Sequence, residues 1–403
     1  MRIKVNSVLT EYFLTKQDVT TNRYIKDSTQ NMLWGIAAGK CQFSGCNKKL
    51  WQSEITKEQV NIAQKAHIWA FSVDGPRGNK GIDAEDINDL SNLMLVCHQC
   101  HKLIDEDKHG IKYSVDLLLN MKRQHEKRIE LATSIPPNKQ SHILLYGAKV
   151  GEHNSPLNYR VATDAIFPEF YPAESKAFEL GMVGSVFEDN ESEFWNLERI
   201  NLERKFNQII RPGLINNEIK HLSVFGIAPQ PLLILLGKLL SDIPPVEIYQ
   251  LHREPQTWCW QNDNPDVSFE IKEPVYKGSK AIALNLSLSA TIDNTRITKV
   301  LGDDVSIWTL TITTPNNDFM RSKSQLSEFR RTYRDLMNRI KAVHGHEQTL
   351  HVFPAVPVSV ALDIGRAWMP KADLPLSLYD EVRVKGGFIK TLDLQQDGVI
   401  NDH

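Results

Sequence analysis

Two short cysteine pairs near the start of the chain restrict its fold more than any other feature. "CQFSGC" supplies Cys41 and Cys46, and "CHQC" supplies Cys97 and Cys100. A Cx4C and a Cx2C spacing each fit a tight turn that aims two sulfurs at one tetrahedral ion, as in a pair of zinc knuckles. No export signal is evident, and in a reducing compartment paired thiols favour metal over disulfide. The alternative, two unrelated pairs of reduced thiols, leaves both spacings without a reason. Because the pairs lie far apart in sequence, tertiary structure must close the site, and a zinc ion would tie together segments otherwise free to separate. The remaining cysteine, Cys259, reads as a small buried hydrophobe.

At 403 residues the chain exceeds one ordinary core, so two or three domains are expected. With 41% hydrophobic and 24% charged residues it has the make-up of a globular protein. Its formal charge of -2 gives no global attraction to nucleic acid, but the charge is uneven. Residues 1–135 hold 19 Lys/Arg against 16 Asp/Glu, and the remainder holds 28 against 33, a mildly basic front and a mildly acidic back. The best apolar run, "PLLILLGKLL" at 231–240, falls short of the roughly 20 residues that cross a bilayer. A cytoplasmic protein without a membrane partner is expected.

The stretch "ATSIPPNKQSH" at 132–142 ends a helix and places two prolines before a new apolar strand, so the chain must re-aim there. This predicts a first domain at 1–135, a linker at 136–142 and a second domain at 143–403. In the second, "HLSVFG", "PQPLLILLGKLLS" and "PVEIYQL" read as strand, helix, strand, the pattern of a parallel, helix-covered sheet. The unit recurs: residues 221–251 align with 349–382, pairing Phe225 with Phe353, Pro229 with Pro357, Gly237 with Gly365 and Tyr249 with Tyr379. A duplicated α/β unit, with halves near 143–275 and 276–403, explains the match. A ligand of roughly twofold shape could sit between such halves, beyond the carboxyl ends of the strands.

Between the cysteine pairs lie His67 in "QKAHIWAF" and Asn92 opening "NLMLVC", with His101 directly after the second pair at the start of the helical "HKLIDEDK". An apolar, strand-like run follows His67. With these residues, and with the helical "YSVDLLLNMKRQHEKR" downstream, residues 29–130 resemble the HNH endonucleases. The resemblance implies a small ββα-metal domain held by structural zinc on Cys41, Cys46, Cys97 and Cys100. It implies that His67 is the general base, since an imidazole can take the proton of an attacking water. His101 would ligate a catalytic divalent cation, Mg2+ or similar, with Asp105 one helical turn later. Asn92 would orient the base or its loop. Many HNH enzymes carry a metal ligand just before the base; here that residue is Ala66, and Asp89 in "DINDLSN" is a candidate replacement. Lys122, Arg123, Lys127 and Arg128 form one broad helical face that either meets DNA or is simply solvated. His98 and His109 receive no role.

The stretch "HVFPAVPVSVALDIGRAWMPKADLPLSLYD" resembles the signature of SAVED domains, fused pairs of CARF-like Rossmannoid units that bind cyclic oligonucleotides. Together the two resemblances cover nearly the whole chain, which resembles the HNH-SAVED effector nucleases of bacterial CBASS anti-phage systems. They imply an α/β protein in which a cyclic di- or trinucleotide binds the rear domain and drives homo-oligomerisation, to a dimer or tetramer. The front domain then degrades double-stranded DNA without sequence preference. A cyclic nucleotide offers phosphates and purine faces, so it wants cations and stacking rings. Tyr159, Arg160, Trp368 and Lys371 are the candidates, although a tryptophan is more often core, and Arg366 reads as an ion-pair partner. Two rival readings are a restriction-like HNH nuclease whose rear half reads DNA, and a non-catalytic zinc platform serving a nucleotide sensor. The acidic rear argues against the first, and the retained histidines and Asn92 against the second.

Overall fold

The computed structural model describes residues 24–72, 74–78, 87–149, 157–182, 187–261, 267–275, 278–382 and 385–395. Its contacts divide the chain into two units, Met1–Ser134 and Ile135–His403.

In the front unit, α1 (Asp27–Ile36) precedes β1 (Ala63–His67), which pairs antiparallel with β2 (Leu93–Cys97). The register sets His67 against Leu93 and Ala63 against Cys97. All five residues of β2 are buried, and they form a core with Leu33, Leu50, Ile68, Ile104 and Leu118. The extended backbone of Cys97 turns directly into α2 (His98–Glu106). Then α3 (Val115–Thr133) begins at Ser114, whose hydroxyl accepts a hydrogen bond from the Leu117 amide, satisfying one of the orphan donors of a helix start. The order strand, strand, helix is the ββα arrangement. One expectation is corrected: the strand ends on His67 rather than following it, because the apolar residues after it leave the ladder and fold into the core.

The rear unit opens with β3 (Gln140–Gly147), α4 (Tyr159–Ile166), β4 (Tyr171–Pro172), β5 (Phe178–Glu179), α5 (Ser192–Lys205) and α6 (Arg211–Ile215). The unit continues through β6 (Leu222–Ile227), α7 (Gln230–Leu240), β7 (Val246–Ile248), β8 (Phe269–Lys272), β9 (Ala281–Ser287), α8 (Asn294–Leu301) and β10 (Val305–Ile312). It ends with α9 (Lys323–His344), β11 (Leu350–Ala355), α10 (Val358–Ala367), β12 (Leu376–Val382) and β13 (Gly387–Leu394). Two sheets result. The first runs β4-β3-β6-β7 with β5 also on β3, all parallel. The second runs β13-β12-β11-β9-β10-β8. Its four inner strands are parallel, as expected, but β13 and β8 close the edges antiparallel. Two expected boundaries also move: β3 starts at Gln140, inside the anticipated linker, and β8 already belongs to the second sheet.

The internal repeat holds at the level of contacts. Phe225 stacks on Tyr249 with ring centroids 4.5 Å apart, and Phe353 stacks on Tyr379 at 4.3 Å. Pro229 and Pro357 each precede the first residue of their helices, α7 and α10, where a missing amide hydrogen costs nothing. The two helices pack against each other at their glycines. A Cβ on Gly237 would stand 2.1 Å from the Leu362 carbonyl oxygen, and one on Gly365 would stand 1.9 Å from that of Ile234. The approach is reciprocal, as a pseudo-twofold relation requires, and one continuous apolar core runs through both halves.

Candidate active site and metal centre

The four cysteines converge. Cys41 and Cys46 flank a turn in which the Cys46 amide donates to the Phe43 carbonyl and Gly45 adopts a φ of 80°, a conformation open chiefly to glycine. Cys97 ends β2 and Cys100 lies in the first turn of α2. All four sulfurs lie within 4.8 Å of one another, and Cys46 Sγ is 3.8 Å from Cys97 Sγ. Zinc–sulfur bonds of about 2.3 Å in a tetrahedron put neighbouring sulfurs about 3.8 Å apart, so the spacing fits the ion. The Cys97 amide donates to Cys41 Sγ over 3.3 Å, as it would to a thiolate. Burial pushes the Cys41 thiol up to about 12, with further repulsion from Cys46 and Cys97, and burial raises Cys100 further still. A bound cation would hold these sulfurs as thiolates against that shift, and the donor set is the one that zinc takes.

His67 closes β1 and lines a cleft of about 540 Å³ together with Phe71, Asp74, Arg77, His101, Asp105 and Lys108. His101 comes from α2, and its Nδ1 meets Asp105 Oδ2 at 3.0 Å. The carboxylate therefore occupies Nδ1 and leaves Nε2 as the ring nitrogen that could hold a metal, an arrangement common behind metal-binding histidines. Asp105 in this pose supports His101 and lines the cleft.

Asn92 is buried and braces the chain that leaves His67. Its Oδ1 accepts from the Trp69 amide at 2.8 Å, and its Nδ2 donates to the Trp69 carbonyl at 3.2 Å and the Ile87 carbonyl at 2.9 Å. The excursion between β1 and β2 is thereby pinned at both ends. Two residues in contact with these elements escaped the sequence reading, Arg77 in the cleft wall and Asn88 beside His67. Arg77 donates from Nε to the Ile68 carbonyl and from Nη1 to the Ile104 carbonyl, joining the chain after His67 to α2. Asn88 Oδ1 lies 2.9 Å from His67 Nε2.

Several expectations are corrected. Ala66 is buried in β1, and its methyl group offers the cleft no ligand. Asp89 does not replace it: its carboxylate accepts from the Ser91 amide at 2.8 Å and is held below the usual range by that bond. Lys122 is buried and paired with Glu126 at 2.5 Å, so it is not offered to DNA. Arg123, Lys127 and Arg128 are exposed, and Arg128 is engaged with Asn47 and His125.

In the rear unit the four proposed ligand residues do not form one platform. Tyr159 donates its hydroxyl to the Glu174 carbonyl and packs in one core patch. Trp368 is 3% exposed in another, with its indole N–H donated to the Leu374 carbonyl, and it is a core residue rather than a stacking surface. Arg160 and Lys371 are exposed. Arg366 makes no salt bridge among the described residues; it binds the carbonyls of Ser241, Pro244 and Val246, closing the turn after α7.

Residues 41–112 match the family model HNH_2, an HNH endonuclease, and residues 202–394 match SAVED, the SMODS-associated and fused to various effectors sensor domain. The chain joins an HNH nuclease domain to a SAVED sensor domain. Solved structures similar to it include the Acinetobacter baumannii Cap4 SAVED/CARF-domain containing receptor with the cyclic trinucleotide 2'3'3'-cAAA. That match has 16% identity and a TM-score of 0.39, covering 78% of this chain and 67% of that one. The same receptor with 3'3'3'-cAAA gives 16% identity and a TM-score of 0.42, covering 79% and 68%. No curated protein matches the chain. Among the described residues, no helix of either domain is long and apolar enough to cross a membrane.

Proposed function

We propose that this protein is a metal-dependent DNA endonuclease activated by a cyclic oligonucleotide, which degrades double-stranded DNA in anti-phage defence. The observation that carries the reading is the cleft shared by His67 and the His101–Asp105 pair, in the same chain as a sensor domain. His67 takes the proton of the attacking water, Asn92 fixes the loop that follows it, and His101 Nε2 holds the cation. When bound, a divalent ion such as Mg2+ offsets charge on the scissile phosphate. Zinc on the four cysteines holds β2 and α2 in place behind them.

A nuclease without sequence preference must be idle by default. A cyclic di- or trinucleotide can shift it to the active state only by binding that state better. Assembly of subunits on ligand binding meets this condition, and several HNH domains on one duplex would multiply a modest affinity.

The test is plasmid cleavage by the full-length protein with Mg2+ and a panel of cyclic di- and trinucleotides, with light scattering on the same samples. Cleavage and a rise in mass are expected only with an activating member. Equal cleavage without any member would overturn the gating and favour a restriction-like enzyme. His67→Ala should abolish cleavage while leaving zinc content and the mass rise unchanged; normal cleavage by that variant would remove His67 from the mechanism.

A further inference from the structure

The family resemblance gives Asn88 no role, yet it is a partner of the imidazole on which the proposed chemistry turns. Its Oδ1 lies 2.9 Å from His67 Nε2, and its Nδ2 faces the Tyr24 carbonyl at 3.4 Å. An amide nitrogen donates and a carbonyl accepts, so the Tyr24 contact orients the Asn88 side chain with its oxygen toward His67. An acceptor at Nε2 calls for a hydrogen there, and in the neutral ring this leaves the lone pair on Nδ1. Phe71 packs edge-on beside the ring, with centroids 5.8 Å apart.

We infer that Asn88 is a positioning residue: it holds the neutral His67 imidazole in the Nε2–H tautomer and makes Nδ1 the atom that receives the proton of the attacking water. This rests on the reading of His67 as the base. In the step, a water O–H proton passes to Nδ1 as the water oxygen bonds to phosphorus. The bond between phosphorus and the leaving oxygen breaks, and that oxygen takes a proton from solvent. The imidazolium so formed keeps its Nε2–H on Asn88 and later returns the Nδ1 proton to solvent.

The partner chemistry of the two cleft histidines supports the assignment. His101 has a carboxylate on Nδ1, which strengthens a ring that must stay bonded to a cation. His67 has a neutral amide on Nε2, which orients the ring without trapping its charged form, as a base that must cycle requires. The two rings are thus held in opposite tautomers, one presenting Nδ1 and the other Nε2.

Nitrogen NMR of the full-length protein labelled at its histidine rings, with His67→Ala identifying the signal, reads the tautomer without any activator. The Nε2–H form is expected, and Asn88→Ala should give a mixture; a wild-type signal from the Nδ1–H form would overturn the proposal. In the plasmid assay, with the panel member that activates the wild type, Asn88→Ala should lower kcat roughly ten- to a hundredfold with little change in KM, the scale at which partners of functional imidazoles act. Asn88→Asp keeps the acceptor and should retain most of the rate, with the acidic limb of the pH profile moved to higher pH because a carboxylate favours the imidazolium. Wild-type rate and profile for both Asn88 variants, with His67→Ala inactive, would reject the role of Asn88 and leave His67 as the base. Normal cleavage by His67→Ala would reject the base itself while the NMR result still decided the tautomer.

Discussion

At the scale of single residues, the HNH domain depends on polar side chains that bind backbone, Asn92 foremost. Asn92→Ala would remove three hydrogen bonds and leave the Trp69 amide and the Trp69 and Ile87 carbonyls short of a partner. A loss of about 1–3 kcal/mol is expected, measured by chemical denaturation of the HNH domain within the full-length protein, with cleavage falling further because the segment after His67 is released. Stability equal to the wild type would show that the loop is held elsewhere. His67, Asn92 and His101 were legible because their types and order repeat a pattern. Asn88 was not. In "DINDLSN" two adjacent side chains can accept a hydrogen bond, and the sequence pointed to Asp89; only the path of the loop sends Asn88 toward His67 and turns Asp89 onto the Ser91 amide. Arg77 was hidden for the same reason, since its partners are carbonyls that carry no sequence signature.

At the scale of elements, the crossing of α7 and α10 gives the sharpest expectation. Gly365→Ala would force a methyl group against the Ile234 carbonyl, and backbone cannot yield as a side chain can. A loss of about 3 kcal/mol or more is expected by thermal unfolding. Gly35→Ala in α1 is the control, since nothing among the described residues lies within 4 Å of its added carbon, and there a small gain is expected. A mild effect of Gly365→Ala would mean that the helices can separate. A second expectation concerns α5, where Glu198 is fully buried with neither carboxyl oxygen hydrogen-bonded among the described residues. Burial lifts it from its ordinary 4.5 to about 7, partly opposed by Lys205. A carboxyl raised in the folded state adds stability that is complete below pH 4.5 and is lost as pH climbs through 7. Glu198→Gln should therefore unfold with a weaker pH dependence over that window, and above pH 7 it should exceed the wild type by on the order of 3 kcal/mol. Denaturation at pH 5 and pH 8 checks this, and parallel pH curves would refute it. The repeat around the glycines was readable because duplication leaves matched letters. The antiparallel edges β8 and β13 left none, since edge pairing depends on where the chain returns.

At the scale of the whole molecule, two kinds of cohesion coexist. The HNH domain gathers its core around four cysteines, whereas the SAVED domain is held by a large apolar core shared by two sheets. Removing zinc with a strong chelator should unfold the first and spare the second, seen as two separate transitions in calorimetry with about one zinc per chain by elemental analysis. A folded, metal-free HNH domain would refute the zinc assignment. The division was foreseeable from the composition and the two prolines near residue 136. The ligand-facing residues were not, because aromatic and basic letters do not announce which side of a helix meets solvent, and Trp368 fills the interior.

The mutual contact of Gly237 and Gly365 also sets a mechanical rule. Slipping one helix along the other by a single position would drive a side chain into main-chain atoms, so the halves are riveted at that point and cannot glide. Strain placed on one half would therefore reach the other through main-chain atoms at that crossing.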